Sequence, residues 1–119
     1  MLSDNFAVRL RGGVQVEDLV VGDGAVAERG TTVQVGYTGF LNRGDAFQRG
    51  EVATFRIGQR RVIAGLEYGV EGMRVGGMRR VHVPPHLGYA EDGVPGIIPA
   101  NAKLLFEVEL LRVIPADES

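Results

Sequence analysis

Arg61-Val62-Ile63-Ala64-Gly65-Leu66-Glu67-Tyr68-Gly69-Val70-Glu71-Gly72-Met73 is the only stretch of this 119-residue chain whose apolar residues recur at helical spacing. Ile63, Leu66, Val70 and Met73 fall on one face, with Glu67 and Glu71 read as turned away from it. The spacing predicts one short helix, and a poor one by propensity. Gly65, Gly69 and Gly72 each weaken it by about 1 kcal/mol relative to Ala, so packing against the rest of the chain must hold it. No Ser, Thr, Asp or Asn stands just before Ala64 to cap the first turn. The N–H groups around Val62 and Ile63 are therefore left either to water or a neighbouring loop, or to a ligand, and the residues alone do not choose between these.

On either side of this stretch the chain alternates at period two between glycine-rich turns; 18 of its residues are glycine. Residues 1–13 read as a lead or an extra edge strand ending in Gly12-Gly13, and Val14 onward as a strand running into the turn at 22–24. Thr31 to Gly39 is a strand with Val33, Val35 and Tyr37 on one face; Asn42-Arg43-Gly44-Asp45 is hairpin-turn chemistry before Phe47, and Val52 to Ile57 is a further strand. After the helix come a strand from Met78 to Val83, stopped by Pro84-Pro85, and an aperiodic loop over 86–102. A long last strand runs from Lys103 to Val113 with Leu104, Phe106, Val108 and Leu110 facing one way. Residues 115–119 read as a solvated, frayed tail. These elements predict an α+β fold, with an antiparallel sheet of about five to six strands closed over one short helix as a single domain across 14–114.

Composition narrows the function by exclusion. There is no Cys, hence no disulfide and no thiol nucleophile, and two histidines give no zinc cluster, so neither a metal nor another cofactor is expected. His82 lies between Val81 and Val83 and should point outward, and His86 is a loop residue. With 13 basic and 15 acidic residues the net charge of -2 offers no footprint for nucleic acid, and no apolar run is long enough to span a membrane. The N-terminal residues lack a signal peptide's apolar stretch, so the reading is a soluble cytoplasmic protein. No glycine segment matches a phosphate-binding loop, and Glu107 and Glu109 alternate with apolar residues as a solvated strand face does. What remains is an apolar pocket of aromatic residues at strand ends, beside an open helix start; by periodicity Tyr37, Phe47 and Phe106 also suit a plain core.

Four motifs occur in order: VxYTG from Val35, GxxxVIxGxxxGVxGM from Gly58, PPxxGY from Pro84 and PGIIPxNAxLxFxVEL from Pro95. Together they make the chain resemble the FKBP-type peptidyl-prolyl isomerases, the macrolide-binding immunophilins, from about Val14 to Val113. The resemblance implies a half-open antiparallel sheet wrapped on one helix, and cis/trans isomerisation of X-Pro bonds with a role in protein folding. It also implies proline-containing peptides or unfolded clients as partners, macrolides as inhibitors, and a monomer. By motif, Tyr37 and Phe47 would form one wall of the pocket and Phe106 the other, with the Ile63 N–H bonding a substrate carbonyl and the Tyr89 hydroxyl another. Val62, Gln48, Leu66, Ile97 and Ile98 would contact the substrate, Leu66 as floor and the two isoleucines as cover.

Three positions depart from the family pattern. Leu66 stands where Trp is usual, and Ala53-Thr54-Phe55 where the family has an F-x-F strand. The wall pair Phe-Asp reads Phe47-Gln48, and the segment after it is a few residues shorter. These departures keep a rival in view: a peptide- or protein-binding module or chaperone on the same fold, with weak or no isomerase activity.

Overall fold

The computed structural model describes residues 8–9, 11–42 and 44–118; residues 1–7 and Leu10 of the expected lead, Arg43 in the expected turn and Ser119 lie outside the described residues. Among the described residues six strands form one antiparallel sheet: β1 Val8–Arg9, β2 Gln15–Val20, β3 Thr32–Leu41, β4 Ala46–Arg56, β5 Met78–Val83 and β6 Leu104–Ile114. Their spatial order is β1-β2-β5-β6-β3-β4. One helix, α1 (Ala64–Val70), lies between β4 and β5 in the chain. Alternation decides which face is buried, because successive side chains of a strand point to opposite sides. Val16, Val33, Val35, Val81, Val83, Leu104, Phe106, Val108 and Leu110 all point inward and meet Leu66 and Val70 of α1 in one core.

The helix is narrower than its sequence pattern. Ile63 is its N-cap and makes no side-chain capping bond, while Met73 is buried beyond its end. Gly72, at φ +93°, turns the chain there and gives its N–H to the Ala27 carbonyl at 2.8 Å. Residues 24–27 then run antiparallel to 72–75, with Ala27 N–H on the Met73 carbonyl at 2.8 Å and Val75 N–H on the Ala25 carbonyl at 3.0 Å. This pairing ties the crossover from β2 to β3 under the helix C-terminus. The last helical carbonyls are met by the buried Arg79 of β5, whose Nη1 donates to Gly69 O at 2.9 Å and Glu71 O at 3.3 Å while Nε donates to Asp18 at 2.7 Å. A guanidinium suits that end of a helix because its donors are several and its charge opposes the dipole.

Glycine inside the helix has a steric cause. A Cβ at Gly65 would run into the Val83 side chain, and one at Gly69 into Val81. The two glycines, four residues apart, thus present a smooth strip on which β5 lies.

Three elements differ from the sequence reading. The strand expected to start at Val52 starts at Ala46, because the register of β4 on β3 shifts twice: Phe40 pairs with Ala46, Gly39 with Gln48, and Tyr37 with Glu51. The extra β4 residues break the period-two pattern that would have shown the strand. The tail is not simply frayed, since Ala116–Glu118 form a 3-10 turn and Arg56 Nη2 reaches the Ala116 carbonyl at 3.5 Å. Glu67, read as outward-facing, is buried.

Gly69→Ala tests the packing of α1 on β5. Helix propensity alone favours Ala by about 1 kcal/mol, whereas overpacking against Val81 costs about 1–3 kcal/mol. A net loss of stability in urea melts is the expected outcome; a more stable variant would show that the helix does not lie so close.

Candidate functional site

The inner face of the sheet, which shares one core with α1, brings three aromatic rings together. Phe106 of β6 is the centre, 2% exposed. Tyr37 of β3 meets it edge-on, with ring centroids 5.9 Å apart and planes at 63°; Phe47 of β4 does the same at 5.8 Å and 83°. Tyr37 and Phe47 are only half-buried, so the cluster is core at its base and surface at its rim. Gly39 makes the arrangement possible, because a Cβ there would stand 2.5 Å from Phe47 Cζ. It pairs with Phe106 on one side and with Gln48 on the other. Phe47 folds across that bare backbone.

Gln48 sits between the two register shifts of β4. Burial pushes the Tyr37 phenol above its usual pKa, Glu51 and Tyr89 add to the rise, and a side-chain hydrogen bond from Gln48 works against it. The phenol therefore keeps its proton through the neutral range and stays available as a donor.

At the helix entrance Val62 and Ile63 are half-buried and pack on the core. The Ile63 carbonyl accepts Leu66 N–H at 3.1 Å and Glu67 N–H at 3.4 Å, but no hydrogen bond from the N–H of Val62 or Ile63 occurs among the described residues. Leu66 is buried in the core that holds Phe106. The residue missed by the sequence reading is Glu67, 1% exposed, whose carboxylate accepts Gly58 N–H at 3.0 Å and Arg60 N–H at 2.8 Å. Its signal was positional: at about 100° per residue it stands only about 40° around the helix from Ile63, at the edge of the apolar arc rather than opposite it.

The loop after β5 divides its residues. Tyr89 is half-buried against the core, held in a backbone knot in which Ala90 N–H bonds Pro85 O at 2.9 Å and Asn101 N–H bonds Ala90 O at 2.7 Å. Ile97 and Ile98 do not act as a pair: Ile98 is core, bridged to Val94, whereas Ile97 is 54% exposed. Ile97 sits in the turn that Ile98 closes, the Ile98 N–H bonding the Val94 carbonyl at 2.8 Å, so the turn faces out while Ile98 faces the core.

A second concavity, of about 750 Å³, lies on the other face of the sheet between β2, β5 and β6. Four of its charged or titratable side chains are paired, His82 Nε2 with Glu17 at 2.9 Å and Arg80 with Glu107 at 3.2 Å. It has no cluster of aromatic rings, which sets it apart from the site around Phe106. His86 is likewise engaged, its Nε2 2.9 Å from the Gly12 carbonyl. Among the described residues no group of His, Asp and Glu could hold a metal, and no helix is long and apolar enough to cross a membrane.

An apolar rim of aromatic rings with a free N–H and a protonated phenol, and without a nucleophile, suits a neutral carbonyl-bearing ligand. A family model described as FKBP-type peptidyl-prolyl cis-trans isomerase matches residues 24–111. The chain is 45% identical over 104 residues to FK506-binding protein 4 of Aspergillus fumigatus, covering 85% of this chain and 21% of the relative. To the 46 kDa FK506-binding nuclear protein of Spodoptera frugiperda it is 42% identical over 109 residues, covering 88% and 26%. It thus spans about a fifth to a quarter of the length of these curated relatives. The crystal structure of a peptidyl-prolyl cis-trans isomerase from Pseudomonas syringae pv. tomato superimposes with a TM-score of 0.82 at 28% identity, covering 92% of this chain and 81% of that one. With the matched residues running from the β2–β3 crossover through α1 to β6, this chain belongs to the FKBP-type peptidyl-prolyl cis-trans isomerase family.

Proposed function

We propose that this protein isomerises X-Pro peptide bonds at the Tyr37–Phe47–Phe106 cluster, and that its clients are proline-containing peptides or unfolded chains. The observation that carries the reading is a pair of open backbone donors, the Val62 and Ile63 N–H groups, on residues packed against the same core as three edge-to-face rings of which two are half-exposed. A prolyl amide resists rotation because resonance gives its C–N bond double-bond character. The planar form is charge-separated and best stabilised by water on the carbonyl, whereas the twisted form is less polar. A pocket that replaces water by ring edges, and anchors the neighbouring carbonyl on Ile63, therefore favours the twisted amide over the planar one. Bringing a step of tens of seconds to milliseconds needs about 6 kcal/mol, within reach of shape and desolvation without covalent chemistry.

In this reading the Tyr89 hydroxyl bonds a second carbonyl, Val62 and Leu66 line the floor, and Ile97 covers from the loop while Ile98 holds the loop to the core. The same pocket would accept a macrolide, and the protein would work as a cytoplasmic monomer aiding folding; the insect relative's nuclear description names the competing compartment. Gln48 in the wall and Leu66 in the floor favour one rival: a binding module or chaperone whose isomerase activity is weak.

A protease-free assay on a Leu-Pro peptide separates the two, and a rate equal to buffer at micromolar protein would leave the binding module. Tyr89→Phe should cut kcat/KM by the equivalent of about 1 kcal/mol while the melting temperature hardly moves. A large stability loss would make Tyr89 a packing residue instead.

Gln48 yields a separate expectation. A carboxylate beside the rings would accept from the Tyr37 hydroxyl and orient it, and charge-assisted bonds exceed neutral ones by about 1–2 kcal/mol, roughly a decade of rate. Gln48→Asp should raise kcat/KM on one peptide at one pH. No gain, or a loss, would mean that the two register shifts aim position 48 elsewhere and that desolvation alone does the catalysis.

A further inference from the structure

Glu67 is the one buried carboxylate among the described residues, and it lies in the first turn of a seven-residue helix. A charge so placed must be met by donors, and here they all come from one segment. Its Oε1 takes Gly58 N–H at 3.0 Å and Arg60 Nη1 at 3.3 Å, and its Oε2 takes Arg60 N–H at 2.8 Å. Gly58 and Arg60 have φ of +106° and +58°, so two left-handed residues fold the loop back until both amides face the carboxylate. Arg60 then lies over the Tyr68 ring, 5.1 Å from its centroid. The chain next passes Arg61 and Val62 to reach Ile63, whose carbonyl accepts the backbone N–H of Glu67 itself at 3.4 Å. One residue thus holds the chain at position 60 with its side chain and at position 63 with its backbone. The free Ile63 N–H lies between those two tethers.

We infer that Glu67 is a positioning residue: its carboxylate sets the direction of the Ile63 N–H and so the affinity for substrate, an inference resting on the isomerase-site reading above. An apolar side chain here would pack as well but would leave two inward-facing amides without acceptors, and the loop would relax. The bond from Ile63 is made to bound substrate and to the twisted amide alike. Loss of its aim therefore weakens binding uniformly, raising KM and sparing kcat.

Glu67→Gln keeps the volume but offers one carbonyl for two amides. Amide exchange at Gly58 and Arg60 should quicken by about tenfold and KM for a Leu-Pro peptide should rise by about five- to tenfold, with kcat within about twofold of wild type. Val70→Ala is the control, since it opens a cavity on the same helix and lowers the melting temperature without touching the loop, leaving KM unchanged. If Glu67→Gln does not fold, Glu67→Asp retains the charge on a shorter stem and should give an intermediate KM. Wild-type exchange and KM in either variant, or a KM that follows stability in both Glu67→Gln and Val70→Ala, would overturn the inference. Exchange and the Ile63 amide shift need no turnover, so a wild type that neither binds nor isomerises the peptide would sink the isomerase reading while these still decide whether Glu67 sets the loop.

Discussion

Helix α1 lies so close to β5 that any side chain at positions 65 and 69 would overlap Val83 and Val81, and this contact distance governs most of the architecture. A helix of seven residues with glycines in it has almost no stability of its own. It exists because the sheet holds it, and three other contacts complete the hold. Arg79 closes the C-terminal carbonyls, residues 24–27 pair with the chain just beyond, and Glu67 gathers the loop before it. The N-terminal end has no such closure. Its open amides belong to Val62 and Ile63, which pack on the same core to which the strands β3, β4 and β6 deliver Tyr37, Phe47 and Phe106. The unsatisfied end of the helix and the pocket are consequences of one packing arrangement.

The chemistry follows from what that arrangement lacks as much as from what it holds. Neither a thiol nor a metal cluster is available among the described residues, and the carboxylate nearest the helix entrance is spent on backbone amides. Rotation about an amide needs none of these. It needs the carbonyl stripped of water and its neighbours fixed, and under the proposed function an aromatic rim with open backbone donors would offer both. The outer face of the same sheet is a useful contrast. There a concavity of about 750 Å³ carries polar and charged groups, with Glu17 on His82 and Arg80 on Glu107, and it has no ring cluster to shelter a neutral peptide.

Most of the fold was legible because strand alternation and helix period are direct projections of which side faces the core. β5 over Met78–Val83 and the inward set Leu104, Phe106, Val108 and Leu110 are cases where the pattern and the packing are the same fact. The misses have physical causes. Residues 46–51 hide a strand because two register shifts add residues that obey no period. Glu67 was read by its charge rather than its angle on the helix, although only a close look at Gly58 and Arg60 reveals the amides that justify burying it. The aromatic cluster was visible as residue types, and the motifs placed them, but no sequence rule shows that Phe47 needs a bare Gly39 beneath it. Ile97 and Ile98 were equal in the sequence, and the Val94 bridge separated them.

Under the proposed function an X-Pro peptide binds at the helix entrance and aromatic rim and not on the outer face. Titrating a blocked Leu-Pro peptide into isotope-labelled protein and following backbone amide shifts tests it most directly. The Ile63 amide should move furthest, with Tyr37, Phe47, Tyr89 and Phe106 following on the same saturation curve. Shifts confined to Gln15, Glu17, Arg80 and His82, with Ile63 unmoved, would contradict it.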